Sequence, residues 1–226
     1  YLCLNGKTFA SNGTNKITVN NGGRLVLCDC AGGGTIRGAT KSWGGSCVYL
    51  YQSTLDIFGG KITGGKVSGN GGGGAIALDD SKCVVDMYGG EISGNNGNKS
   101  GGAIFLNSAD KKGGTVNIYG GTIANNKAQN GGVIYSSCGG TVNLVGGTIT
   151  GNNATNGDGG VINMAGGTVT ISGAKLTGNT SSRYGGAVYL YNGVTATMTG
   201  GEISGNQAAS EGGAVHVYGT STFNLS

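Results

Sequence analysis

Two aspartates hold matching places in successive copies of one short pattern, Leu55-Asp56-Ile57-Phe58-Gly59-Gly60 and Val85-Asp86-Met87-Tyr88-Gly89-Gly90. If the copies stack as parallel strands, the two carboxylates lie about 5 Å apart. That is the close end of the separation used in glycosidic cleavage, about 5–9 Å. Carboxylates so near each other repel unless one holds a proton or a cation bridges them. The chemistry open to Asp56 and Asp86 is therefore Ca²⁺ binding, hydrogen bonding to a sugar, or hydrolysis. Phe58 and Tyr88, with Tyr119 in the next copy, would flank that sugar. No basic residue clearly accompanies the pair, as a lyase needs for proton abstraction, and the only histidine, His216, is far along the chain. The plainer reading is two solvated acids on a ladder that continues through Asn117, Asn143, Thr170, Thr197 and Asn224. Other acids pair less well. Glu91 and Glu202 share a repeat position four coils apart, about 19 Å. Asp79 and Asp80 are loop neighbours that would point apart. We expect no catalysis and assign no catalytic residue.

A second set is aromatic. Tyr189 and Tyr191 alternate on one face of a strand, beside His216 and Tyr218 in the next copy. Tyr49, Tyr51, Phe105 and Tyr135 hold the same outward positions earlier, with Trp43 and Tyr184 in nearby turns. Exposed tyrosine offers flat apolar area with a polar tip, which suits protein or carbohydrate contact. The alternative is cross-coil stacking that only stabilises the sheet, about 0.2–1 kcal/mol per pair.

The chain has 6 cysteines: Cys3, Cys28, Cys30, Cys47, Cys83 and Cys138. Cys3 and Cys28 are separated by nearly one repeat, so stacking places their Cα atoms about 5 Å apart, within disulfide range. A bridge from Cys3 to Cys28 or Cys30 would staple the first coil; the alternative is six small core or turn residues. Cys83 and Cys138 are expected to be free. The Cys-x-Cys spacing is unusual for zinc, and no metal or other cofactor is assigned.

These residues must be positioned by a repeat. A block of two small residues and alternating apolar ones begins at Gly45, Gly73, Gly101, Gly131, Gly159, Gly185 and Gly212, at intervals of 28, 28, 30, 28, 26 and 27 residues. A second block follows each copy (VDMYGGEI from Val85, VNIYGGTI from Val116), and a third closes it (ISGN from Ile92, IANN from Ile123). Alternation within each block is that of a strand with one buried face, and the glycine density argues against helix. The expected fold is all-β: a right-handed single-stranded parallel β-helix, about eight coils of ~28 residues, forming one domain over residues 1–226. Within it, residues 1–44 form cysteine-bearing N-terminal coils and 45–226 the regular repeats. Three inward columns follow: Ile76, Ile104, Ile134, Ile162, Val188, Val215; Ile57, Met87, Ile118, Leu144, Ile171, Met198, Leu225; and Ile62, Ile92, Ile123, Ile149, Leu176, Ile203. Ser136 and Ala196 weaken their positions. Gly-Gly pairs supply the positive φ of sharp turns. Asn95, Asn126, Asn152, Asn179 and Asn206 either do similar work or stack their amides along the rod.

Composition narrows the function. Glycine is 52 of 226 residues, proline is absent, charged residues are 11%, and the net charge is +4. The basic residues are scattered, with Lys111-Lys112 the only adjacent pair, so nucleic acid is not an expected partner. No apolar run is long enough to insert in a membrane. The chain opens and closes within its pattern, and we read it as part of a longer protein, expected to be monomeric in this segment.

The GGAI or GGAV blocks following an I-x-x-N element resemble the GGA(I/L/V) and FxxN repeats of chlamydial polymorphic membrane proteins, which are β-helical autotransporter adhesins. The likeness covers roughly residues 45–226, with Ile or Leu in place of Phe. The stretches Leu2-Cys3-Leu4-Asn5-Gly6-Lys7-Thr8 and Leu25-Val26-Leu27-Cys28-Asp29-Cys30 are similar to the opening of β-helices in secreted surface proteins of gut Firmicutes. The Thr115, Thr141, Thr168, Thr195, Thr222 ladder resembles the ice-binding faces of some antifreeze β-helices, though Asn interrupts the neighbouring row. The first two resemblances imply a secreted or cell-surface bacterial adhesin or stalk that binds a host protein or glycan. The alternative is a carbohydrate-active β-helix, a lyase or hydrolase.

Overall fold

In-register stacking of like residues decides this architecture. The computed structural model describes residues 1–10, 17–110 and 112–226; Lys111 of the basic pair lies outside them. Among these residues the chain is all-β, a parallel solenoid of about eight turns, and no helix is long and apolar enough to cross a membrane. Three long sheets run the length of the rod. One has nine strands, from Leu2–Cys3 through Thr54–Ile57 and Val84–Met87 to Thr222–Leu225. A second, called here the tyrosine sheet, has eight, from Ile17–Asn20 through Ile76–Asp79 to Val215–Val217. The third also has eight, from Thr8–Ala10 to Glu202–Ser204.

Every named strand pair is parallel and places equivalent repeat positions together: Ile76 on Ile104, Ile104 on Ile134, Met87 on Ile118, Ile92 on Ile123. The three columns read from the sequence line one continuous buried core. Each isoleucine is sandwiched between its counterparts, and full burial of such a side chain is worth about 1.5–3 kcal/mol. The columns loosen in the last coil, where Val215 is only partly buried and Leu225 is exposed. Ser136, the weak point of its column, is buried and donates its hydroxyl to the Gly139 carbonyl at 2.6 Å, so the polar group is satisfied.

The coil differs from the three-strand expectation in one respect. A fourth strand of two residues recurs at Lys127–Ala128, Asn153–Ala154, Thr180–Ser181 and Gln207–Ala208, forming its own sheet. Two residues are too few to show alternation, which is why the pattern hid it. The turn glycines behave as expected at Gly90, whose φ is +80° and where an added Cβ would lie 2.6 Å from the Gly60 carbonyl oxygen.

The recurring asparagines resolve between the two roles open to them. None of the five has a positive φ; the residue before each takes it, at Gly94, Asn125, Gly151, Gly178 and Gly205. The asparagines are instead an amide ladder. Asn95, Asn126, Asn152 and Asn179 are buried, and each donates its Nδ2 to the Oδ1 of the next, at 2.9, 3.1, 3.0 and 2.9 Å. Each receiving Oδ1 also accepts the preceding asparagine's backbone N–H, as Asn179 Oδ1 does from Asn152 at 3.0 Å. The second Nδ2 proton reaches a backbone carbonyl of the preceding coil, as from Asn152 to Ile123 at 3.0 Å. Removing one rung leaves buried partners unsatisfied on both sides, at about 1–3 kcal/mol per group. Asn152→Ala should therefore lower stability by about 3 kcal/mol in urea unfolding. Asn153→Ala, at its exposed neighbour, should stay within about 0.5 kcal/mol of the parent.

Candidate functional site

Alternation places Asp56 and Asp86 on the outer face of the nine-stranded sheet, and they are register partners. Their surroundings differ. Asp56 is 0% exposed. The Arg24 guanidinium, reaching from the preceding coil, donates its Nε to Asp56 Oδ2 at 2.6 Å. A basic residue does accompany the pair, contrary to the sequence reading; Arg24 lies 32 residues away, and only the stacking brings it there. The Arg24 charge is held even more firmly than usual by this hydrogen bond and the Asp56 charge. Asp56 Oδ1 is buried with no hydrogen-bond partner in the protein. Asp86 is half-buried and accepts from Asn117 Nδ2 at 2.7 Å, and Asn143 passes the same bond on to Asn117 at 2.7 Å. The two carboxylates thus do not face solvent together, so they do not form the accessible acid pair that hydrolysis requires.

Phe58, Tyr88 and Tyr119 stack as expected, with centroids 4.7 and 4.9 Å apart and planes within 7° and 9° of parallel. The rings cover one another's faces and leave their edges to solvent. Both faces of the Tyr88 ring, and one face each of Phe58 and Tyr119, are taken up within this stack.

The tyrosine sheet offers different geometry. Tyr189 pairs with His216 in register. Tyr184, from the turn before the strand, closes over both, with centroids 6.1 Å from Tyr189 and 4.8 Å from His216. Tyr189 and Tyr191 lie 5.4 Å apart, tilted by 32°. Tyr184, Tyr189, Tyr191 and His216 are each partly exposed. Tyr218 is the most exposed of the group. Tyr184, Tyr189, His216 and Tyr218, with Arg183 and Glu211, line a groove of about 410 Å³. An adjoining depression of about 290 Å³ shares Arg183 and Tyr189 and adds Asn130, Tyr135, Asp158, Asn163 and Tyr191. Binding sites for small ligands occupy about 300–1,000 Å³ and combine apolar walls with a few polar groups.

The polar groups of this groove escaped the sequence reading. Asp158 is buried, 3.7 Å from Arg183 Nε, and accepts the Tyr184 backbone N–H at 3.2 Å. Asn163, 3% exposed, donates to the Asp158 carbonyl at 3.2 Å, while its Oδ1 has no partner in the protein. The Arg183 guanidinium lies 5.1 Å from the Tyr184 ring centre, and His216 Nδ1 lies 3.9 Å from Glu211. Asp158, Tyr184 and Glu211 each immediately precede a Gly-Gly pair, and this shared offset was the available signal. Burial pushes the Tyr189 and Tyr191 phenols up, reinforced at Tyr189 by Asp158 and at Tyr191 by Tyr135, so both stay protonated donors.

Other outward aromatics do not join the groove. Phe105 is buried, stacked on Tyr135 at 6.1 Å, with Gly71 passing over it. Tyr49 packs against Trp43 at 5.8 Å and donates its hydroxyl to Asp79. Asp79 ends a strand rather than lying in a loop; the turn begins at Asp80.

The structure contains six unbridged cysteines. Cys3 and Cys28 are register partners as expected, yet the nearest sulfur to Cys3 is that of Cys30, at 2.8 Å. Hydrogen bonding to Cys30 draws the Cys3 thiol below its usual value, and the same contact pushes Cys30 up to about 11. Cys83 and Cys47 are buried, and burial pushes both thiols up.

The covered Asp56 gives a direct test of Arg24. Arg24→Ala should lower stability, because it leaves the buried Asp56 carboxylate without its counter-charge. Adding Asp56→Asn should return most of that loss, read as a double-variant cycle by chemical denaturation. Compared with known proteins, the chain matches no family model, no curated protein and no solved structure, so the groove is interpreted from its geometry alone.

Proposed function

We propose that this solenoid is a non-catalytic binding module of a bacterial surface protein and that its aromatic groove takes a glycan. The observation that carries the reading is the convergence of Tyr184, Tyr189, Tyr191 and His216 on Asp158, Arg183 and the unpartnered Asn163 Oδ1. Tilted ring faces suit the apolar face of a sugar, and the amide, carboxylate and guanidinium suit its hydroxyls. A host protein that presents such a glycan falls within the same reading. The surface setting rests on the likeness of the GGAI and I-x-x-N blocks to the chlamydial repeats, and of the Cys-bearing opening to the Firmicutes proteins. The absence of catalysis is supported by the cover over Asp56, which leaves Asp86 as a lone half-exposed acid.

The test is a broad glycan screen on the whole chain, with the solution assayed for cleavage products. Binding without products is expected, and Tyr189→Ala with Tyr191→Ala should weaken it by at least about tenfold, the equivalent of 1.4 kcal/mol. Asp86→Asn should leave it unchanged. Turnover of a polysaccharide that disappears in Asp86→Asn would establish the carbohydrate-active alternative. Glycan retention unaffected by the two tyrosine substitutions would remove the groove as the site.

A further inference from the structure

The three N-terminal cysteines converge on one point. The Sγ atoms of Cys3, Cys28 and Cys30 all lie within 4.8 Å of one another. The convergence is built by the backbone. Register places Cys28 directly on Cys3, and the chain bends immediately after the strand ends at Cys28, which brings Cys30 back beside Cys3. The intervening Asp29 pins the bend between them: its Oδ1 accepts the Gly6 N–H at 2.8 Å and its Oδ2 the Gly34 N–H at 2.6 Å. The Cys30 backbone N–H points at Cys3 Sγ at 3.3 Å, the kind of outer hydrogen bond that orients a metal-bound sulfur.

We propose that Cys3, Cys28 and Cys30 form a three-sulfur site for a soft, thiophilic divalent ion of the Zn²⁺ or Cd²⁺ class. A disulfide accounts for two of the sulfurs, whereas the triangle has three. Metal–sulfur bonds of about 2.3 Å in tetrahedral array separate sulfurs by about 3.8 Å, so the Cys3–Cys30 pair, at 2.8 Å, opens by about 1 Å as the ion enters. Binding displaces the thiol protons and forms one bond from each sulfur; the fourth position is open to water, since Cys3 and Cys30 are exposed. The ion would tie the two-residue strand Leu2–Cys3 to the next coil at Arg24–Cys28.

The experiment titrates the whole chain, reduced under anaerobic conditions, with Cd²⁺, following sulfur-to-cadmium charge-transfer absorption and counting bound ions by native mass spectrometry. One ion per chain is expected, with affinity falling by more than about 100-fold in Cys28→Ser and in Cys30→Ser, beyond the loss typical of an outer-shell contact. Cys138→Ser, at a thiol outside the triangle, should bind as the parent does. Cys28→Ser separates the two sulfur chemistries, because it leaves a Cys3–Cys30 bridge possible and removes the third ligand. No stoichiometric ion on the reduced chain, or binding that survives Cys28→Ser, would overturn the site. So would a Cys3–Cys30 bridge that forms in air at the same rate with and without Cd²⁺.

Discussion

Parallel register without slippage is the constraint on which every other feature depends. A coil of this chain cannot close a core alone, because each inward isoleucine packs against its counterparts in the adjoining coils. Its remaining contacts come from the coils above and below. Register is therefore enforced at every level, since a one-residue slip would turn all inward side chains outward. The same enforcement makes outward chemistry additive. A residue type recurring at one offset becomes a row, and a row becomes a surface.

Rows explain both what the protein can bind and where. Identical rings repeated at one offset, as at Phe58, Tyr88 and Tyr119, consume their own faces in stacking. A groove arises instead where the repeat is broken. Asn163 stands in register between Tyr135 and Tyr189, and the turns beside it bring in the charges of Asp158, Arg183 and Glu211. The departure from periodicity opens space and supplies polar groups together. Strict repetition builds the scaffold, and irregularity in the repeat carries specificity.

This division also accounts for what was legible in the sequence. The three long strands, the inward columns and the stacked Phe58–Tyr88 pair follow from alternation and period alone. The two-residue fourth strand is shorter than any alternation can reveal. The cover over Asp56 depends on how far the Arg24 side chain reaches between coils, which spacing does not encode. Asn163 was missed because it is a single substitution within a tyrosine row, and a search for what recurs passes over what does not; Asp158 shares its offset with Glu211, and its burial against Arg183 needs the fold to be seen. The asparagines were seen as a row, but their φ values are set by the residue before each, so only coordinates could divide turn-making from amide stacking.

The amide ladder has a sense of direction. From Asn95 to Asn206 every amide-to-amide hydrogen bond runs from the Nδ2 of one coil to the Oδ1 of the next C-terminal one, while the remaining Nδ2 proton ties back to a carbonyl of the coil before. Aligned amides polarise one another, so each bond strengthens its neighbours. The amide row is consequently a vector: it starts inside the rod at Asn95, whose Oδ1 accepts the Gly65 N–H, and runs to Asn206. Further coils carrying asparagine at this offset would lengthen the row from its Asn206 side alone, because its other end is closed within the rod.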